Sequence, residues 1–330
     1  MLCRLKGRLS SRPPGDALIF DFGGCAVGVR TGFVFVLASA LGVCGLAAQG
    51  PAAEQGGALG LGSLEVHISP ERPKQGTVFL IRVHRGGRPA PSLVARFAGE
   101  PVLFQAGENG WSWAVAAVPV DAPSALELEI DATWPDGRSE QLVCPVLVAP
   151  GRYAMERLTV APEYGAPLSP ALAERTQAEV SRARAVARGA HDTPPFWRPG
   201  DFVRPRPTRV TSPFGNGREF NGQVQSRHTG IDFQGGIGDL VTAAAPGLVR
   251  LVDRFYLGGN VVYIDHGGGL STGYLHLSET SVAVGDTVAA GQRIGAVGAT
   301  GRVTGPHLHW ILRFGSITVD ALSVLDLEEP

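Results

Sequence analysis

Five of the eight histidines fall after residue 227, in clusters that read His228-Thr-Gly-Ile-Asp232, Tyr274-Leu-His276-Leu and His307-Leu-His309, with His266 between them. Zinc in enzymes takes three protein ligands from His, Asp, Glu or Cys and keeps a fourth position open, so these clusters are the inventory of a catalytic zinc site. Alternating apolar residues over 306–312 read as a strand, which puts His307 and His309 on one face about 7 Å apart. One of the two can bind metal while the other faces a substrate. The four-residue step from His228 to Asp232 suits a helix face or the two ends of a short extended turn. Gly230 and the Gly235-Gly236 pair favour the turn, at a point where a loop enters a strand.

The elements that position these residues belong to a chain of 330 residues that is 44% hydrophobic and 18% charged, enough for two domain cores and too apolar for a disordered protein. The net charge of −1, with no basic run, leaves no footprint for nucleic acid. Lysine occurs only at Lys6 and Lys74. Residues 1–48 read as an export signal: Arg30, an apolar run over 33–46, then Ala47 and Ala48, where cleavage is expected. The stretch before the run is long for a signal, which suggests an over-extended start. The run falls short of the roughly 20 residues of a membrane helix, so membrane attachment is expected only if the signal stays uncleaved. Val43 is a poor residue before Cys44 for lipidation. Cleavage removes Cys3, Cys25 and Cys44 and leaves Cys144 as a buried, inert thiol with no disulfide partner. The expected location is the periplasm, cell envelope or exterior.

Residues 63–149 alternate β-rich runs with turn signals: 64–68, 78–83, 93–97, 111–118, 126–132 and 142–148. This is the pattern of a β-sandwich, immunoglobulin-like in architecture only, with Trp113 and Trp134 as core residues. His67 and His84 lie in its strands without companion ligands. Residues 150–201 form a Pro-rich connector with one helix over 169–189, capped by Ser169, started by Pro170 and ended by Gly189, and read as a spacer packed on a neighbouring domain. His191 follows it and is expected to face solvent. Residues 202–325 show short strands punctuated by glycine, so the fold class is mostly β with an all-β C-terminal domain. The echo between Gly238-Asp-Leu-Val and Gly285-Asp-Thr-Val also occurs in biotinyl and lipoyl carriers, but those need a hairpin lysine that is missing here.

Residues 206–322 resemble the lysostaphin/LytM-type zinc metalloendopeptidases, which cleave peptide bonds in bacterial peptidoglycan and fold as a duplicated hybrid motif. Seven segments carry the resemblance in order: Thr211-Ser-Pro-Phe-Gly215, His228-Thr-Gly-Ile-Asp-Phe233, Ala245-Pro-Gly-Leu-Val249, Gly259-Asn-Val-Val-Tyr-Ile-Asp-His-Gly267, Tyr274-Leu-His-Leu277, Gly298-Ala-Thr-Gly301 and Gly305-Pro-His-Leu-His-Trp310. The resemblance implies one Zn2+ per chain held by His228, Asp232 and His309, with His276 and His307 as the unliganded catalytic pair. Two neutral imidazoles and a carboxylate leave such a site net positive, which acidifies water and polarises a carbonyl. One histidine of the pair then takes a proton while the other steadies the oxyanion or protonates the leaving amine. His266 reads as structural, Asn260 and Tyr274 as groove-lining or packing residues, and Trp310 as core.

Two departures from the family pattern stand out. Some relatives place a tyrosine shortly before the first ligand histidine, and residues 220–227 contain none. No cell-wall-binding repeat is present either, so targeting falls to the first domain, which could be an inhibitory flap, a substrate-positioning module or a platform for an envelope partner. The rival reading is a non-catalytic LytM-type domain that binds or activates another wall hydrolase. Such degenerate relatives lose ligand residues, and this chain keeps all three and both extra histidines.

Overall fold

The computed structural model describes residues 4–5, 58–61, 64–222 and 224–328; the apolar run of the expected export signal lies outside them. Two five-stranded sheets form the N-terminal half. One runs in the order Arg4–Leu5, Ser139–Leu147, Ala125–Thr133, Ser92–Phe97, Glu100–Val102, and the other in the order Ala58–Leu61, Leu64–Ser69, Val78–His84, Trp111–Ala117, Gln105–Ala106. Period-two alternation drives both: along Ala125–Thr133, Leu128, Ile130 and Ala132 are buried while Glu129 and Asp131 between them are exposed. The inward faces meet through Phe79 and Phe97, ring centroids 5.1 Å apart, with Leu128, Ile130, Leu142 and Cys144 around them.

Trp134 joins this core, but Trp113 does not. Trp113 points from the outer face of its sheet, with Val78, Leu80 and Val115, into the C-terminal core. There it meets Trp197 edge-on at 5.6 Å, and Trp197 meets Phe202 at 5.3 Å. His67 and His84 flank Glu65 and the Trp111 ring.

The connector is more than a spacer. Strand β1 (Met155–Leu158) precedes helix α1 (Pro170–Gly189), whose Ser169 side chain accepts a hydrogen bond from the Leu172 amide as its cap. Buried Glu179 holds α1 to the C-terminal sheet by accepting from the Tyr256 amide at 2.8 Å and from Arg175 at 2.8 Å. His191 is not solvent-facing: its Nε2 lies 3.0 Å from Glu100 and its ring stands edge-on to Phe314, so the side chain is 9% exposed. No helix among the described residues is long and apolar enough to cross a membrane.

In chain order the remaining elements around the site are β2 (Gly217–Phe220), β3 (Val224–Arg227), β4 (Ile231–Gln234), β5 (Gly247–Phe255), β6 (Gly259–Gly267), β7 (Leu270–Thr280) and β8 (His307–Phe314). The C-terminal sheet has β4, β8, β7, β6 and β5 as successive neighbours, all antiparallel. A small three-stranded sheet, β1-β2-β3, stands beside it. Its β1–β2 pairing is parallel, with Glu156 opposite Arg218.

Candidate metal centre

Strand register builds the site. Asp232 on β4 and His309 on β8 are direct cross-strand partners, and Leu275 on β7 is the other neighbour of His309. Phe233, Leu308 and Trp310 on the opposite face are fully buried in the core, so alternation leaves Asp232, His307 and His309 on the cavity side. His228 lies in the loop between β3 and β4. Gly230 lets that loop pass close to β8: a Cβ there would fall 2.5 Å from the Trp310 carbonyl oxygen and 2.7 Å from His309 Nε2.

The three candidate ligand atoms converge. His228 Nε2 is 3.0 Å from Asp232 Oδ1 and 3.0 Å from His309 Nδ1, and His309 Nδ1 is 2.7 Å from Asp232 Oδ1. A tetrahedral zinc with bonds of about 2.0–2.1 Å separates its ligand atoms by roughly 3.3 Å, so these residues need to part by only a few tenths of an ångström to hold one. The Nδ1–H of His228 donates to the Pro213 carbonyl at 2.7 Å, leaving a lone pair on Nε2 aimed at the carboxylate. Two acceptors facing each other inside protein call for a cation between them. Burial would raise the Asp232 carboxyl, but the adjacent His228 and His309 outweigh it and hold the group well below its usual 3.8. Burial lowers His309 to about 4 despite the adjacent Asp232. An ionised carboxylate and neutral imidazole at neutral pH are the donor set a zinc ion takes.

His276 and His307 face the same cavity, ring centroids 4.9 Å apart. His307 Nδ1–H donates to the Gly305 carbonyl at 2.8 Å and His276 Nδ1–H to the Thr300 carbonyl at 2.8 Å, so each presents Nε2. His276 adopts φ +62, a left-handed conformation uncommon outside glycine, where the pairing of β7 loses regular register. That twist takes the ring out of the alternation that buries Tyr274. Burial, then the neighbouring His307 and His309, push His276 well below 6.5, so it is neutral.

Behind the ligands lies a network that inspection of the sequence missed. Arg218 Nη2 donates to Asp232 Oδ2 at 2.6 Å and to Ser212 Oγ at 2.7 Å, while Arg218 Nε donates to Glu156 Oε2 at 3.0 Å. Glu156 also accepts from Ser212 Oγ at 2.8 Å and Asn216 Nδ2 at 2.9 Å, and Ser212 Oγ is 3.1 Å from His228 Nδ1. Burial raises the Glu156 carboxyl, but these donors prevail and lower it overall. Glu156 therefore stands one residue removed from two candidate ligands. The clue available in sequence was Thr211-Ser-Pro-Phe-Gly-Asn-Gly-Arg218, a polar stretch upstream of His228; nothing local pointed to Glu156, 62 residues before Arg218.

The other histidine readings resolve simply. His266 is fully buried, Nδ1 on the Pro246 carbonyl and Nε2 on Thr272 Oγ1, both at 2.7 Å. Tyr274 is buried with its hydroxyl accepting from the Ala244 amide, and Asn260 donates to the Leu277 carbonyl, so neither lines the cavity. The cavity holds about 700 Å³ and is walled by β1, α1, β2 and residues 302–306 as well as by the histidines.

The family model described as "Peptidase family M23" matches residues 226–321. DD-carboxypeptidase/endopeptidase Mpg of Neisseria meningitidis is 43% identical over 117 residues, 36% of this chain and 27% of that protein. Peptidoglycan DD-endopeptidase ShyC of Vibrio cholerae is 42% identical over 104 residues, 31% of this chain and 24% of that protein. The chain thus matches about a quarter of the length of these curated relatives. A crystal structure of a Pseudomonas aeruginosa protein assigned to peptidase M23 superposes with a TM-score of 0.58 at 27% identity, covering 77% of this chain and 95% of that one. The match to peptidase family M23 is confined to residues 226–321, the region that carries the His228, Asp232 and His309 cluster.

Proposed function

We propose that this protein is a zinc-dependent endopeptidase that hydrolyses peptide cross-links of bacterial peptidoglycan, working in the cell envelope after export through residues 1–48. The observation that carries the reading is the meeting of His228, Asp232 and His309 within 3.0 Å, beside two further histidines whose Nε2 atoms face one cavity. His228, Asp232 and His309 would hold one zinc per chain, which supplies Lewis-acid polarisation of the scissile carbonyl and acidifies water. His276 and His307 do the proton work. With each Nδ1–H committed to a backbone carbonyl, either Nε2 can accept the proton of the attacking water; once protonated, it donates to the oxyanion or the leaving amine. Burial of His276 disfavours its cation, so a proton it accepts is passed on readily only at the cost of weaker basicity. On solvation grounds alone the less buried His307 is the better acceptor of the pair.

The names of the relatives support a D-Ala-containing cross-link over a Gly-Gly bridge as the bond cleaved. The N-terminal sheets are read as an immunoglobulin-like sandwich and as the surface available to an envelope partner. The test is incubation of the purified chain with peptidoglycan sacculi, following soluble peptides and new amino groups. Release that stops on chelation and returns with zinc is expected; intact sacculi with the zinc-loaded chain would sink the proposal.

A further inference from the structure

Among the described residues two cations that line the cavity, Arg302 and Arg313, pair with no carboxylate, and Arg302 is the more exposed of the two. Arg302 lies five residues before His307, in the segment that follows Thr300, and its amide is anchored on the Leu257 carbonyl at 2.9 Å. Its guanidinium stacks on the buried Phe220 ring, 4.0 Å from the centroid, and both residues line the cavity with the candidate metal ligands. Among the described residues no carboxylate pairs with it. Burial and, secondarily, the charge of Arg218 disfavour its protonated form. Arg218 differs, because Glu156 and Asp232 share its charge at 3.0 and 2.6 Å. A half-buried guanidinium beside another cation is costly until an anion meets it. Stacking on Phe220 fixes its plane and leaves its N–H edge free, the fork that takes a carboxylate through two parallel hydrogen bonds.

The β2 strand supplies the distance. Arg218 and Phe220 both line the cavity from the same face of that strand, two residues or about 7 Å apart. Arg218 touches Asp232, and Arg302 rests on Phe220, one strand repeat of about 7 Å further along β2. An extended peptide covers that span in about two residues. We propose that Arg302 binds a free carboxylate of the peptide being cleaved, about two residues from the scissile bond, so that the site selects acidic cross-linked peptides over neutral ones. This rests on the peptidase reading above. Cross-linked stem peptides suit it, because they keep free carboxylates next to the linkage.

The test uses two synthetic cross-linked stem peptides, identical except that the carboxylates nearest the linkage are free in one and carboxamides in the other. For the zinc-loaded chain, kcat/KM should favour the free acid by about tenfold or more, carried in KM, as expected for loss of a charge-assisted hydrogen bond. Arg302→Met should bring the ratio to within about twofold of unity, while Arg302→Lys keeps part of it, with zinc content and melting temperature unchanged. Calorimetric binding of the two product peptides to the same zinc-loaded proteins should follow the same ratios. A wild-type ratio near one, or a ratio that survives Arg302→Met, overturns the proposal. Hydrolysis of neither peptide sinks the peptidase reading instead, and the calorimetric ratios then decide the role of Arg302 separately.

Discussion

Glu156→Gln tests whether the connector strand holds the metal centre together. The Glu156 carboxylate accepts from Ser212 at 2.8 Å, Asn216 at 2.9 Å and Arg218 at 3.0 Å, and through Arg218 and Ser212 it steadies Asp232 and His228. A glutamine keeps the volume, but its amide nitrogen cannot accept, so at least one of these bonds is lost. The larger effect is electrostatic. With Glu156 neutralised, Asp232 becomes the sole counter-ion of Arg218 and is drawn toward a guanidinium already 2.6 Å from its Oδ2. That competes directly with a metal for the same carboxylate. Loss of a supporting partner behind a metal ligand weakens binding by about 10–100-fold, equal to about 1.4–2.7 kcal/mol. Competition with a chromogenic zinc chelator at pH 7 measures the affinity, and a thermal melt of the zinc-free form checks the fold. Zinc affinity within twofold of wild type would refute the reasoning, because it would mean that Glu156 only ties β1 to the small sheet.

Gly230→Ala places a methyl 2.5 Å from the Trp310 carbonyl oxygen and 2.7 Å from His309 Nε2, so it should displace His309 and lower zinc affinity while the far-ultraviolet circular dichroism stays unchanged. His266, lowered to about 4 by burial, should stay neutral in the folded chain at pH 5 by imidazole NMR. Because its folded value lies below the unfolded one, its contribution to stability is complete above about pH 6.5 and falls by roughly 1.4 kcal/mol per unit as pH drops from there toward about 4. A ring that titrates near 6.5 would contradict this. Trp197→Ala removes the side chain between Trp113 and Phe202 that also donates to the Gly267 carbonyl, and should cost about 3–5 kcal/mol in denaturant unfolding.

Much of this architecture is legible in the chain because local rules and tertiary packing agree. The alternation in Leu126-Glu-Leu-Glu-Ile-Asp-Ala132 marks a half-buried strand, and Ser169-Pro170 with Gly189 marks both ends of the helix. The histidine clusters stand out since their residue types serve no packing purpose. What stays hidden depends on pairings between distant segments. Met155-Glu-Arg-Leu158 is too short and too charged to announce a strand, and only its parallel pairing with Gly217–Phe220 delivers Glu156 to the candidate metal ligands. Trp113 looks like sandwich core in sequence, but its register puts it on the outer face, where Trp197 covers it. The packing of the connector helix on a neighbouring domain is legible in sequence, whereas the pairing of β1 with β2 leaves no local mark. A chain cut to begin near Arg204 would lose Glu156 and two walls of the cavity, and a change in its rate would report that loss together with any relief of inhibition.

In the proposed site His228, Asp232 and His309 hold zinc, and His276 and His307 do chemistry beside it. Zinc content by elemental analysis and peptide release from sacculi, measured together on wild type, His309→Ala and His276→Ala, address this assignment most directly. One zinc per wild-type chain, loss of both metal and activity in His309→Ala, and loss of activity with metal retained in His276→Ala are the expected results. Full zinc content in His309→Ala, or undiminished peptide release by His276→Ala, would contradict the account.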